Sequence, residues 1–175
     1  KEIDDKKKCD GKKEIHRGRV RSGIIAACLY YAFRAQKVVR SPSEVADIMD
    51  LDLVDVTRGC KLFLDIMRGG KSDIHIISDD SNDFVSRFCS NLNLNFSYIK
   101  EIKSLLNEVT KYKILNKNTP ISRVAGCIFY VITINKLDIN KKNVSKACNV
   151  SDVTVSKTYK KICLYKDLMN LKLNQ

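Results

Sequence analysis

Residues 119–134 read TPISRVAGCIFYVITI, and residues 22–33 read SGIIAACLYYAF. In both stretches apolar residues occupy more than one helical face, too many for a surface helix with a single buried stripe. Each is therefore predicted as a central helix enclosed by others, over residues 19–36 and 120–134. Thr119 stands at the expected N-cap, and Pro120 suits the first helical position, where its missing N–H costs nothing. A shift of 99 residues lays one stretch over the other without a gap. Ala26 falls on Ala125, Cys28 on Cys127, Tyr31 on Tyr130 and Lys37 on Lys136. Further along, Val45 falls on Val144, Val54 on Val153, Val56 on Val155 and Lys61 on Lys160. Small and apolar matches at helical spacing are what two copies of one helical core require.

Working outward from the central helices, each copy continues with a short helix, a tight turn and a further helix. In the first copy Ser41, Pro42 and Glu44 form a capping-box signature, and a helix follows over about residues 53–67 before Gly69 and Gly70. In the second copy helices are predicted near residues 83–92, 95–112, 141–148 and 151–163. The fold class is all-α, with two tandem five-helix repeats. The first, residues 1–70, is expected to lack at least its opening helix, with a loop around residues 9–16. Residues 71–82 read as a polar hinge, residues 83–169 as the second repeat, and the tail from Lys166 as frayed. Two prolines, seven glycines and little alternation exclude an all-β reading.

The 175 residues carry 32 Lys and Arg against 20 Asp and Glu, a formal charge of +12. That excess suits a polyanionic partner, nucleic acid before membrane. It is uneven: residues 1–78 hold 16 basic and 12 acidic side chains, and residues 79–175 hold 16 and 8. No apolar run approaches the ~18–20 residues that span a bilayer, and the lysine-rich start has no apolar stretch of a secretory signal behind it. Seven cysteines include no C-x-x-C pair, so zinc is not expected. Cys28, Cys60, Cys127 and Cys163 fall in apolar helical patterns and read as small buried hydrophobes. Two histidines without an evident partner, and no phosphate-loop pattern, argue against an enzyme. No cofactor is implied.

The final helix pair of each copy has the layout of a helix-turn-helix, whose second helix can enter a major groove or cross a backbone. In the second copy this helix is SDVTVSKTYKK. Val155, Tyr159 and Ile162 share one stripe and are expected inward, leaving Val153, Thr154, Ser156, Lys157 and Lys160 outward.

Five separated segments then carry a specific resemblance: DFVSRFCSNL at residues 83–92, TPISRVAGCIFY at 119–130, VSDVTVSKTY at 150–159, GRVRSGIIAACLYYAFR at 18–34 and DVTRGCKLFL at 55–64. In this order they resemble the core of the general transcription factor IIB family, two cyclin-like repeats in tandem, across roughly residues 17–169. The resemblance implies a core that binds a TATA-binding protein and promoter double-stranded DNA on both sides of the TATA element. RNA polymerase would be engaged mainly through an amino-terminal zinc ribbon and linker that this sequence does not contain. Carried over by position, Thr57 and Arg58 match a family glycine–arginine pair that lies in the minor groove downstream of TATA, with threonine replacing the glycine. Val153 matches a family valine that touches a base upstream. Ser156 replaces a family arginine, so a two-pronged contact with guanine is lost there, while Lys157 and Lys160 can hold phosphates. Thr119 and its helix start form a candidate phosphate site. Lys71 and Arg87 are candidates for partner contacts.

Two further readings share these features. A cyclin-type interaction protein, binding a kinase or other partner and no DNA, has the same helical periodicity. A relative serving another RNA polymerase, such as the polymerase III branch, has the same motifs. The abundance of Lys, Asn and Ile fits an A/T-rich coding genome, and with it either a nuclear site of action or a cytoplasmic viral factory.

Overall fold

The computed structural model describes residues 16–69 and 81–167. Every regular element among them is a helix, and the chain divides into two compact units, Lys1–Ser78 and Asp79–Gln175. The first unit contains α1 (Gly18–Ala35), α2 (Pro42–Ile48) and α3 (Leu53–Gly69). The second contains α4 (Ser81–Asn91), α5 (Phe96–Lys111), α6 (Pro120–Ile134), α7 (Lys141–Cys148) and α8 (Asp152–Leu164). The all-α architecture of two repeats is thus observed, with five helices in the second unit and three described in the first. The predicted loop at residues 9–16, except His16, lies outside the described residues. So do hinge residues 71–80 and the tail beyond 167.

Side-chain caps set the starts of α2, α6, α7 and α8. Ser41 closes a full capping box: Glu44 N–H donates to its hydroxyl at 3.1 Å and Ser41 N–H donates to the Glu44 carboxylate at 2.7 Å. Thr119, Asn140 and Ser151 each accept a backbone N–H three residues on, at 3.3, 2.9 and 3.2 Å. The helix opening the second unit begins at Ser81, inside the segment predicted as hinge, and Ser81 itself is buried. Polar composition alone hid that turn of helix. Helix α3 likewise runs past Met67 to Gly69, because a single glycine costs a helix end little.

The 99-residue relation holds down to the backbone. Lys37 and Lys136 both adopt positive φ, at 56° and 51°, just beyond the two central helices. Asp50 and Asn149, each at 51°, do the same in the turns before α3 and α8. In the first unit, Ala26, Val45, Ala46 and Val56 form one buried cluster. Ala27, Phe63 and Met67 form a second, with the Tyr31 ring stacked on Phe63 at 4.6 Å. Burying apolar surface at roughly 25 cal/mol per Å² is the main source of stability in such a small unit. In the second unit α6 packs against α4, α5, α7 and α8, and Val124, Ala125, Cys127 and Ile128 are fully buried. That enclosure is why its sequence has no polar stripe.

Two burial expectations need correction. Cys127 is buried as expected, but Cys28, Cys60 and Cys163 are only half-buried. On α8 the inward face holds Val155, Thr158 and Ile162, whereas Tyr159 is half-buried. The Tyr159 ring lies edge-on against Phe129 of α6, with centroids 5.2 Å apart, beside the close approach of α8 to α6. Thr158 fits there because Gly126 leaves room for it.

Candidate nucleic-acid interface

Helix α7 ends at Asn149 in the left-handed conformation, which Asn tolerates better than most side chains. The Ser145 hydroxyl donates to the Val150 carbonyl at 2.7 Å and holds the turn shut. Ser151 then starts α8. With Val155, Thr158 and Ile162 buried, the opposite face turns outward: Val153 is 60% exposed, Lys157 and Lys160 are exposed, and Thr154 and Ser156 are half-buried. Five of the predicted contact residues are therefore gathered on one helix. The Thr154 hydroxyl lies 2.9 Å from that of Ser151, so it carries a local hydrogen bond beside the exposed valine.

Helix α7 adds cations that the sequence reading passed over. Lys142 and Lys146 are exposed and, with Asn91, Leu92, Asn143 and Ala147, line a groove of about 580 Å³. Their i, i+4 spacing on a short polar helix was the available signal.

In the first unit Thr57 and Arg58 lie in the second turn of α3, not at a helix start. The Thr57 hydroxyl donates to the Leu53 carbonyl at 2.7 Å, and Arg58 is 59% exposed with a guanidinium nitrogen 4.0 Å from Asp55. The 99-residue shift places Val54, Thr57, Arg58 and Lys61 on Val153, Ser156, Lys157 and Lys160. Val54 is 66% exposed, and Thr57, Arg58 and Lys61 are exposed as well. Both last helices thus present valine, hydroxyl, cation and lysine at i, i+3, i+4 and i+7, one face of a helix.

A true glycine–arginine pair also occurs in this unit, at Gly18–Arg19. Gly18 has φ +55°, and nothing lies within 4 Å of where its Cβ would be. Arg17, the N-cap, makes no side-chain capping bond, so the start of α1 is open. A guanidinium nitrogen of Arg19 lies 2.9 Å from Asp52 and 3.6 Å from Asp55. Asp55 therefore brings Arg19 and Arg58 together. The dipeptide was legible in the sequence; its proximity to Arg58 was not.

Thr119 is exposed, and its hydroxyl accepts from Ser122 N–H while lying 2.8 Å from the Ser122 hydroxyl, so part of that helix start is already capped. Arg87 is half-buried and lies over the rings of Phe84 and Phe88 at 5.5 and 5.1 Å, both on its own helix. Lys71 lies outside the described residues.

Thiol chemistry is suppressed at four of the cysteines. Burial pushes Cys127 and Cys148 up to about 12 and Cys60 and Cys89 up to about 11, so these cysteines stay protonated. Among the described residues no group of three His, Cys, Asp or Glu side chains can hold a metal ion, and no helix is long and apolar enough to cross a membrane.

The chain is 33% identical over 159 residues to a putative transcription initiation factor IIB-like protein of Acanthamoeba polyphaga mimivirus, covering 89% of this chain and 34% of that protein. It is 27% identical over 146 residues to transcription initiation factor IIB of Xenopus laevis, covering 83% and 45%. The figure is again 27%, over 155 residues, for transcription initiation factor IIB of Dictyostelium discoideum, covering 89% and 47%. The chain thus spans about a third to a half of the length of these relatives. The pattern of the transcription factor TFIIB repeat matches residues 7–66 and again 75–164, and on that ground the chain belongs to the TFIIB repeat family.

Proposed function

We propose that this chain is the core of a transcription initiation factor that binds a TATA-binding protein and the promoter DNA flanking the TATA element, and so helps to recruit RNA polymerase. The observation that carries the reading is the duplicated outward stripe, Val54–Thr57–Arg58–Lys61 in one unit and Val153–Ser156–Lys157–Lys160 in the other. A duplex offers phosphates along both strands, and two modest contacts on one molecule raise each other's effective concentration. Lys157 and Lys160 hold phosphates. Val153 offers an apolar surface to base edges, where a thymine methyl is its natural partner. Ser156 makes a single hydrogen bond at most to a base, so the upstream flank is read with little preference for guanine. Arg58 and Arg19 serve the downstream flank, where a narrow A/T-rich minor groove concentrates negative potential. The site of action is the nucleus, or a cytoplasmic factory if the gene is viral.

Fluorescence anisotropy on a labelled TATA duplex, with and without TATA-binding protein, tests this. Weak binding by the chain alone and much tighter binding with TATA-binding protein is the expected result. Absence of any DNA dependence in both arms would leave the cyclin-type protein-interaction reading in its place.

A further inference from the structure

From the ion pairs at the crossing of α1 and α3 we infer that Asp55 is a positioning residue, which fixes Arg19 and Arg58 as one two-pronged clamp for the phosphate backbone of a duplex. The inference rests on the DNA-binding role proposed above.

Asp55 differs from the exposed carboxylates around it. Its side chain is 10% exposed, against 77% for Arg19 and 59% for Arg58. Its main chain cannot drift, because the Asp55 carbonyl packs where a Cβ on Gly23 would stand, at the closest approach of the two helices. Each carboxylate oxygen serves one arginine. Oδ2 faces Arg19 at 3.6 Å from α1, and Oδ1 faces Arg58 at 4.0 Å from α3. Asp52 also pairs with Arg19, at 2.9 Å, but it is 68% exposed and can give way to a phosphate. Asp55 cannot follow it into solvent.

The second unit carries different side chains at these positions. At the equivalent positions stand Asn118, Ser151, Thr154 and Lys157 in place of Arg19, Asp52, Asp55 and Arg58. The first unit therefore holds a buried anion and a second guanidinium where the second unit holds the uncharged Thr154 and Asn118. A free arginine loses several rotamers when it docks, and a fixed carboxylate removes part of that loss in advance. The guanidinium fork also needs a set orientation to grip a phosphate with two N–H groups.

Simple neutralisation is the competing role, and the two roles predict opposite signs. If Asp55 only cancelled arginine charge, removing its charge would tighten binding. If it positions, Asp55→Asn weakens binding to a TATA duplex in the presence of TATA-binding protein by about three- to tenfold, a value inside the range of coupling between contacting groups. Arg19→Ala and Arg58→Ala should be non-additive in the wild-type chain and additive in the Asp55→Asn background. Arg19→Lys keeps the charge at an exposed position and should also weaken binding, which decides the matter even if Asp55→Asn does not fold. Wild-type affinity or tighter binding in Asp55→Asn, additive arginine substitutions in the wild-type chain, or an unchanged Arg19→Lys would each overturn the inference while leaving the DNA-binding role standing. A wild-type chain that bound no duplex in either arm would overturn both.

Discussion

Gly59 meets Gly23 backbone to backbone: a methyl group at Gly59 would collide with the Gly23 carbonyl and lie 2.8 Å from the Ile24 nitrogen. This contact lets α1 and α3 cross closely, and it brings Asp55 to the seam between them. In the second unit the equivalent position holds Thr158, whose Cβ and hydroxyl oxygen each stand 2.7 Å from where a Cβ on Gly126 would lie. The two units therefore solve the same crossing with different residues.

Gly59→Ala should destabilise the first unit despite alanine's better helix propensity. The propensity gain is about 0.8–1.0 kcal/mol, whereas a collision with backbone atoms forces the helices apart and costs on the order of 1–3 kcal/mol or more. A fall in the urea midpoint is expected. An unchanged midpoint would mean that the helices do not cross this closely.

Gly126→Ala should also destabilise, but here the obstacle is a side chain. The first unit already carries the reverse arrangement, Ala27 and Gly59, at the equivalent positions. In a Thr158→Gly background, Gly126→Ala should therefore cease to cost stability. A double-mutant cycle on thermal melts measures the coupling, expected within about 0.5–3 kcal/mol. Additive effects would refute the contact.

Ala125 is fully buried in α6. Ala125→Leu should overpack the core and lower stability by about 1–3 kcal/mol. Calorimetry on the variant checks this, and an unmoved melting temperature would remove α6 from the centre of its unit.

Alkaline pH should destabilise the second unit. Burial, with lesser contributions from Cys163 and Tyr159, pushes Tyr130 from 10.0 up to about 12, and burial pushes Cys127 from 9.0 up to about 12. Both folded values lie above the unfolded ones, so the contribution is complete below pH 9 and is lost as pH rises towards 12. The Tyr130 hydroxyl is 1% exposed as a residue and finds no hydrogen-bond partner among the described residues. Tyr130→Phe should thus cost little at pH 7 and flatten the stability profile above pH 10. A wild-type profile in this variant would exclude Tyr130 as a contributor.

Lys157→Ala and Lys160→Ala should weaken binding to all duplexes about equally and flatten the slope of log affinity against log salt by about one unit each. Ser156→Arg should instead add a preference for guanine upstream of TATA, worth about 1–3 kcal/mol against the wrong base. Competition titrations with guanine-substituted duplexes separate the two effects. Equal gains on every sequence would show that the new arginine reaches only phosphate.

The sequence by itself determined the all-α repeat, because burial and helix spacing leave a one-dimensional record. Ala26 and Ala125, Val45 and Val144, and Val56 and Val155 all turn out fully buried or nearly so, and the Ser41–Glu44 capping box forms as its spacing requires. The outward face of α8 was equally legible, since the stripe of Val155 and Ile162 defines its opposite. Tertiary structure alone decided the rest. That Thr158 is buried and Tyr159 only partly so depends on Gly126 across the crossing, and no periodicity within α8 records a gap in another helix. That Arg19 and Arg58 share Asp55 depends on how closely α1 passes α3. Ion pairs between separate helices are fixed by the distance between their axes, and here that distance is set by two glycine backbones in contact.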